Sequence, residues 1–309
     1  MGVRFRASIT CVSRYLPDRK LTNADLEKMV DTTDEWIQSR TGIRERRILD
    51  DGLGTSFLAT RALEDLLERR GLGANDVDLI IVATVTPDMM FPATACLVQE
   101  NVGARNAWGF DLSAACSGFL YALIVGCQFV ESGAHKRVVV IGADKMSSIV
   151  DYTDRSTCVL FGDGAGAVLL EPGEDGEGLQ DFIFKIDGSG GKYLSQPGGG
   201  SLHPASHETV DKRMHYVRQD GREVFKFATN SMASVSADLL ERNGLTGEDI
   251  ALFLPHQANK RIIDASIRKL NMPENKVLID VDRFANTTCG TIPIALSDAV
   301  EGGRLSRGD

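Results

Sequence analysis

The sequence predicts an α/β fold made of two similar halves, and three observations carry that prediction. Apolar runs of strand length alternate with segments of helical periodicity along the 309 residues. A nine-residue pattern, G-L-x-x-x-D-[V/I]-x-L, occurs at Gly71–Leu79 and again at Gly244–Leu252, each time after a helical segment and before an apolar strand. A glycine-rich loop from Asp187 to Ser201 separates the two copies.

The elements follow in order. Ser56 to Arg70 has helical periodicity, and Asp78 to Thr84 (DLIIVAT) is a strand whose unbroken apolar run suits a buried sheet. Trp108 to Leu112 is the next strand, and the helix after it, Ser117 to Ser132, places Phe119, Leu120, Leu123, Ile124, Cys127 and Val130 at apolar positions. Strands at Arg137 to Gly142 and Gly166 to Glu171 close the first half. The second half offers a strand at Ala251 to Leu254 and a helix near Ile292 to Glu301. The halves divide at residues 1–172 and 173–309. After its last helix the second half continues only as GGRLSRGD, so about 20 residues of counterpart strand sequence are expected beyond it. Gly162-Asp163-Gly164-Ala165-Gly166 lacks the continuation of a dinucleotide motif, and Gly191-Lys192 is followed by Tyr193 where a P-loop needs Ser or Thr. Both read as turns.

With 43% hydrophobic and 25% charged residues, the chain can bury a large core or two domain-sized ones. A net charge of −9 repels phosphates, which argues against general binding to nucleic acid or anionic membranes. The six cysteines at 11, 96, 116, 127, 158 and 289 form no C-x-x-C pair, which fits a reduced cytoplasmic protein without structural zinc or disulfides. The N-terminus lacks the apolar stretch of a signal peptide, Arg6 stands where a myristoylation signal needs Ser or Thr, and Gly118 to Val130 is too short to span a bilayer. A soluble protein is expected.

Cys116 lies between a strand and a helix in Asp111-Leu112-Ser113-Ala114-Ala115-Cys116-Ser117-Gly118, where small residues let the backbone bend sharply. A thiol at a helix start faces the positive end of the helix dipole, which lowers its pKa without a neighbouring base. The bland alternative is a packed cysteine, since free Cys is among the most buried residue types. His256 follows an apolar strand in Leu254-Pro255-His256-Gln257-Ala258-Asn259, a place where α/β folds set reactive side chains, although a His there also serves as a helix cap. Asn286 alone reads as a turn residue. Counted from the shared acid of the repeat, Cys116 lies 40 positions after Asp76 and Asn286 lies 37 after Asp249, so the two occupy comparable strand-to-helix turns.

These residues carry a resemblance. From Ala7 nearly to the C-terminus the chain resembles the β-ketoacyl-acyl-carrier-protein synthase III family through Leu21-Thr22-Asn23, Asp34-Glu35-Trp36-Ile37, Arg40-Thr41-Gly42-Ile43, the cysteine turn, Phe161-Gly162-Asp163-Gly164-Ala165-Gly166, Glu223-Val224-Phe225-Lys226, Pro255-His256-Gln257-Ala258-Asn259 and Asn286-Thr287-Thr288. The resemblance implies a thiolase-like fold, five layers in the order αβαβα, and an acyltransferase of type II fatty acid synthesis that needs no cofactor beyond its coenzyme A thioester. It gives Cys116, His256 and Asn286 the catalytic roles. Cys116 takes an acyl group, acetyl foremost, from acyl-CoA. His256 and Asn286 then assist decarboxylation of malonyl-acyl carrier protein, whose carbanion attacks the acyl-enzyme.

By the same resemblance Trp36, Arg40, Arg155 and Asn259 bind coenzyme A, and Phe91 closes an acyl pocket across a homodimer. Lys226, Lys260 and Arg261, with Arg268 and Lys269 nearby, dock the acidic carrier. The chain departs from the family at Cys11 to Tyr15, at Ala285 where the family has Gly, and in the glycine-rich tail, which supplies one backbone N–H of the oxyanion hole. That last departure keeps open a catalytically silent, carrier-binding homologue. A thiolase-superfamily relative using other acyl groups is also left standing. The Cys–His–Asn order also occurs in papain-like proteases, but their cysteine signature and N-terminal nucleophile are missing.

Overall fold

The computed structural model describes residues 6–174 and 176–309. Strand β1 (Ala7–Tyr15) opens the chain, and a small hairpin of β2 (Lys20–Thr22) and β3 (Glu45–Arg47) encloses helices α1 (Asn23–Leu26) and α2 (Asp34–Thr41). Helix α3 (Thr55–Arg70) leads to β4 (Leu79–Ala83), α4 (Thr94–Val102), β5 (Trp108–Leu112), α5 (Gly118–Glu131), β6 (Val138–Lys145) and β7 (Asp163–Pro172). The second half holds β8 (Leu194–Ser195), α6 (His207–Asp211), β9 (Arg218–Gln219), α7 (Gly221–Arg242), α8 (Lys260–Leu270), α9 (Val281–Phe284) and α10 (Thr291–Glu301).

The five large strands form one sheet in the order β1-β7-β6-β4-β5, with β5, β4 and β6 parallel and β7 antiparallel to both its neighbours. Alternate residues of β4 serve opposite faces. Ile80 and Val82 pack with Leu58, Ala62, Leu63 and Leu66 of α3, and Leu79 and Ile81 pack with Phe119 and Ala122 of α5. Both faces are covered, which is why the strand sequences are continuously apolar.

Helix α10 lies on the α5 side of this sheet, where Ile292 and Leu296 join the same core cluster as Phe119. Its approach depends on glycine. A Cβ on Gly142 of β6 would stand 2.2 Å from the carbonyl oxygen of Cys289, and one on Gly166 of β7 would stand 2.6 Å from the backbone of Pro293 and Ile294. The stretch expected as a turn at residues 162–166 is therefore mostly strand: β7 begins at Asp163, and its glycines thin the sheet where α10 starts.

Ala251 to Leu254, expected as a strand, makes a single bridge from Phe253 to Val277. Phe253 N–H donates to Lys276 and its carbonyl accepts from Leu278, at 2.7 and 3.1 Å. Among the described residues no strand lies on its other side, and a strand exists only through its partners.

Candidate active site

Beyond β5 the chain crosses Ser113 and Ala114 into a 3-10 turn, Ala115–Ser117, that opens α5. Ala115 has φ +47°, a left-handed conformation costing about 1–2 kcal/mol outside glycine. This bend presents Cys116. Burial pushes its thiol up to about 12, with Asp144 adding to the rise and the residue's own N–H opposing it. The helix start was expected to lower that pKa. A helix terminus contributes about 0.3–1 kcal/mol, and loss of water around a sulfur anion outweighs it.

Asp144, at the end of β6, is fully buried and acts as a clamp. Its Oδ1 accepts from the N–H groups of Val85 and Thr86 at 2.8 and 3.1 Å and from the hydroxyls of Thr84 and Thr86 at 3.0 Å. Its Oδ2 accepts from Cys289 N–H at 2.9 Å, tying a turn of the second half to the first sheet.

That turn carries Asn286. Asn286 N–H donates to Leu160 at 3.0 Å, and its carbonyl accepts from Gly162 at 3.1 Å. Ala285 before it has φ 57° and ψ −161°, a region glycine occupies freely, so alanine stands there under strain. The Asn286 side-chain oxygen accepts from Thr288 N–H at 2.9 Å, which leaves its amide NH₂ to donate elsewhere.

His256 reaches the same turn from the end of the Phe253 bridge. Its Nδ1 lies 2.6 Å from the hydroxyl of Thr291, the first residue of α10. Burial lowers its pKa to about 4, so the imidazole is neutral near pH 7. Nε2 is buried and without a partner, and it carries the ring proton when Thr291 donates to Nδ1 and not to the Thr288 carbonyl 3.3 Å away. Cys116 meets the turn through Ala115, whose carbonyl accepts from the Cys289 thiol at 3.1 Å. Cys116, His256 and Asn286 are thus brought to one segment, residues 286–291, around the turn Thr288–Gly290.

The residues expected to bind coenzyme A fall on one rim. The exposed Arg155 guanidinium lies 5.3 Å from the ring centroid of Trp36, and Asn259 donates to the carbonyl of Arg40 at 3.1 Å while capping α8. Of the expected docking residues, exposed Lys226 lies on α7 and Arg261 on α8, with Arg261 5.2 Å from the ring centroid of Phe225. Lys260 is paired with Asp264 at 2.8 Å, and Lys269 donates to Asn230 at 2.7 Å. Phe91 projects from an exposed apolar loop with Met89 and Met90. Sequence reasoning missed Asp144, Thr291 and the position of Cys289. Only Asp144 left a trace, an acid ending the apolar run VVVIGA. Among the described residues no helix is long and apolar enough to cross a membrane, and no group of three metal-ligating side chains is assembled.

Comparison with known proteins matches residues 110–188 to the 3-oxoacyl-[acyl-carrier-protein] synthase III family and residues 240–309 to its C-terminal region. A β-ketoacyl-[acyl-carrier-protein] synthase III of Koribacter versatilis is 57% identical over 305 residues, covering 98% of this chain and 92% of its own. One from Chlorobium luteolum is 58% identical over 305 residues, with 98% and 93% covered. The crystal structure of the Aquifex aeolicus 3-oxoacyl-[acyl-carrier-protein] synthase III matches with TM-score 0.89 at 46% identity, over 98% of this chain and 93% of that one. Identity of this degree over nearly the whole length places the chain in the β-ketoacyl-acyl-carrier-protein synthase III family, with its thiolase-like α/β fold.

Proposed function

We propose that this chain joins an acyl-CoA primer, acetyl-CoA foremost, to malonyl-acyl carrier protein by decarboxylative Claisen condensation. The product is a 3-oxoacyl-acyl carrier protein, the first intermediate of type II fatty acid synthesis. The observation that carries the reading is a neutral His256 whose buried Nε2 has no partner, on the turn that also holds Asn286 and adjoins Cys116.

The sulfur of Cys116 attacks the thioester carbon of acyl-CoA. The C–S bond to coenzyme A breaks, and the proton shed by Cys116 ends on the departing thiol, so no resident base is consumed. Malonyl-acyl carrier protein then loses CO₂, and the electron pair of the broken C–C bond moves onto the thioester oxygen. His256 Nε2–H and the Asn286 amide donate to that oxygen, each worth about 3 kcal/mol in such a setting. The enolate carbon attacks the acyl carbonyl, and Cys116 leaves as a thiolate. Its raised pKa favours immediate reprotonation, which resets the enzyme.

Trp36, Arg40, Arg155 and Asn259 form the rim that receives coenzyme A, and Lys226, Lys260 and Arg261 face the acidic carrier, Lys260 with its charge shared with Asp264. The exposed Met89–Phe91 loop supports a homodimer in which Phe91 closes the acyl pocket. We assign residues 1–172 to the half carrying the nucleophile and 173–309 to the half carrying His256 and Asn286. The reaction is cytoplasmic and requires no cofactor beyond its thioester substrates.

The test is incubation with labelled acetyl-CoA and then with malonyl-acyl carrier protein. The expected result is an acetyl adduct on Cys116, followed by CO₂ and 3-oxobutanoyl product in equal amounts, with both adduct and product lost in Cys116→Ala. Product formation by Cys116→Ala, or no adduct in the parent chain, overturns the reading.

A further inference from the structure

Cys289 is a buried thiol that the condensation does not use. Its place in the duplicated fold is specific. The 3-10 turn Ala115–Ser117 opens α5 and the 3-10 turn Thr288–Gly290 opens α10. Each begins with a non-glycine residue in the left-handed region, Ala115 at φ 47° and Thr288 at φ 52°. The second residue of each turn is a cysteine, 116 in one and 289 in the other. Cys289 lies 40 positions after Asp249, the interval that separates Cys116 from Asp76. The counterpart of Cys116 in the second half is therefore Cys289, and Asn286 precedes it by three residues.

The two turns face each other. The Cys289 thiol donates to the carbonyl of Ala115 at 3.1 Å, and a Cβ placed on Gly118 would lie 3.1 Å from its sulfur. Cys289 Sγ thus lies against Ala115 and Gly118, one residue before and two after Cys116, at the mouth of its helix. A peptide oxygen lies about 2.8 Å from the next Cα, so Cys289 Sγ is within about 6 Å of the Cys116 Cα. Both thiols are free; Cys116 is half-buried and Cys289 fully buried.

We propose that Cys289 is a resolving thiol: when a hydroperoxide oxidises Cys116, Cys289 closes a reversible Cys116–Cys289 disulfide that shields the nucleophile from irreversible oxidation. The inference rests on the reading of Cys116 as the reactive thiol, not on the identity of the acyl group it carries. The small thiolate fraction that the raised Cys116 pKa leaves attacks one oxygen of the hydroperoxide, the O–O bond breaks, and an alcohol or water leaves. Cys116 becomes a sulfenic acid, oxidised by two electrons. The sulfur of Cys289 attacks the sulfenic sulfur, the S–O bond breaks, and the departing hydroxide takes the Cys289 proton as water. In sum two thiols and one hydroperoxide give one disulfide, one alcohol and one water. A dithiol reverses the step by exchange.

Hydrogen peroxide and then dithiothreitol, applied to the full chain and to Cys289→Ser, test the proposal. Non-reducing peptide mapping of the parent chain is expected to find the peptides of Cys116 and Cys289 linked. Dithiothreitol is expected to restore acetylation of Cys116 by acetyl-CoA. Cys289→Ser keeps a donor for Ala115 but cannot resolve, so its Cys116 proceeds to sulfinic acid and at least about tenfold less acetylation returns. Cys116 sulfinic acid in the parent chain with no linked peptide overturns the proposal, and this measurement does not depend on how the variant folds. Acetylation of the untreated protein is a separate readout: its absence counts against the acyl-transfer reading, whereas the linked peptide is scored without it.

Discussion

Thr291 decides what His256 can do. Its hydroxyl lies 2.6 Å from Nδ1, and by donating there and not to the Thr288 carbonyl it holds the ring proton on Nε2, where the proposed condensation needs a donor to the enolate oxygen. Thr291→Val preserves shape and removes that partner, freeing the other tautomer. Release of CO₂ from malonyl-acyl carrier protein is expected to fall about 10- to 100-fold, the range for one lost buried hydrogen bond. Acetylation of Cys116, which does not use the imidazole, is expected to keep its rate in single-turnover mass measurements. Equal losses in both half-reactions would show that Thr291 only supports the fold. Cys116 and His256 stand where apolar runs end and Asn286 in a turn, but such places are common, and it was the family resemblance that singled the three out. Thr291, Asp144 and Cys289 were not legible in the sequence, because their partners are 35, 145 and 174 positions away in the chain. The pKa of Cys116 was misjudged for a related reason. A helix start can be seen in a local sequence, and the burial of its thiol cannot.

Among the elements, the junction between β6 and the start of α10 holds the two halves of the site together. Gly142 provides the clearance, since a Cβ there would stand 2.2 Å from the Cys289 oxygen and 2.8 Å from its carbonyl carbon, both backbone atoms with no freedom to turn aside. Gly142→Ala is expected to destabilise the fold by about 1–3 kcal/mol through overpacking, and to displace the turn that carries Asn286. Urea unfolding checks the first effect, and condensation assayed at low temperature, where the variant stays folded, checks the second. A variant with parent stability and activity would remove Gly142 from this role. The strands of the first half were legible because both faces are buried and their sequences show it. The FGDGAG stretch was misread because glycine usually signals a turn, whereas here it thins a strand. Ala251 to Leu254 has strand composition and only one bridge, because pairing is a property of neighbours that a local pattern does not contain.

At the scale of the whole molecule, charge governs both docking and stability. A chain of net charge −9 repels an acidic carrier, and over the roughly 8 Å screening length at physiological salt only a local patch can reverse that field. Lys226→Glu with Arg261→Glu is expected to raise KM for malonyl-acyl carrier protein at least about tenfold while leaving acetylation by acetyl-CoA unchanged; an unchanged KM would exclude this patch. Among the buried groups that couple stability to pH, two act with opposite signs. His256, with a folded pKa of about 4 against 6.5, favours the folded state above pH 6.5, and that contribution is lost as pH falls through 4. Asp280 is buried with an unpartnered Oδ2, and burial raises its pKa from 3.8 to about 7. Its contribution is present below pH 3.8 and lost as pH rises through 7. Between about pH 4 and 6.5 the two oppose each other, which flattens their joint effect. Asp280→Asn deletes one side of the balance. Relative to the parent chain the variant is expected to gain stability progressively from pH 4 to pH 8, by roughly 4 kcal/mol in all. Urea unfolding of both proteins at pH 4, 6 and 8, at equal protein concentration, measures the difference. A difference that stays constant with pH would mean that Asp280 titrates alike in the folded and unfolded chains.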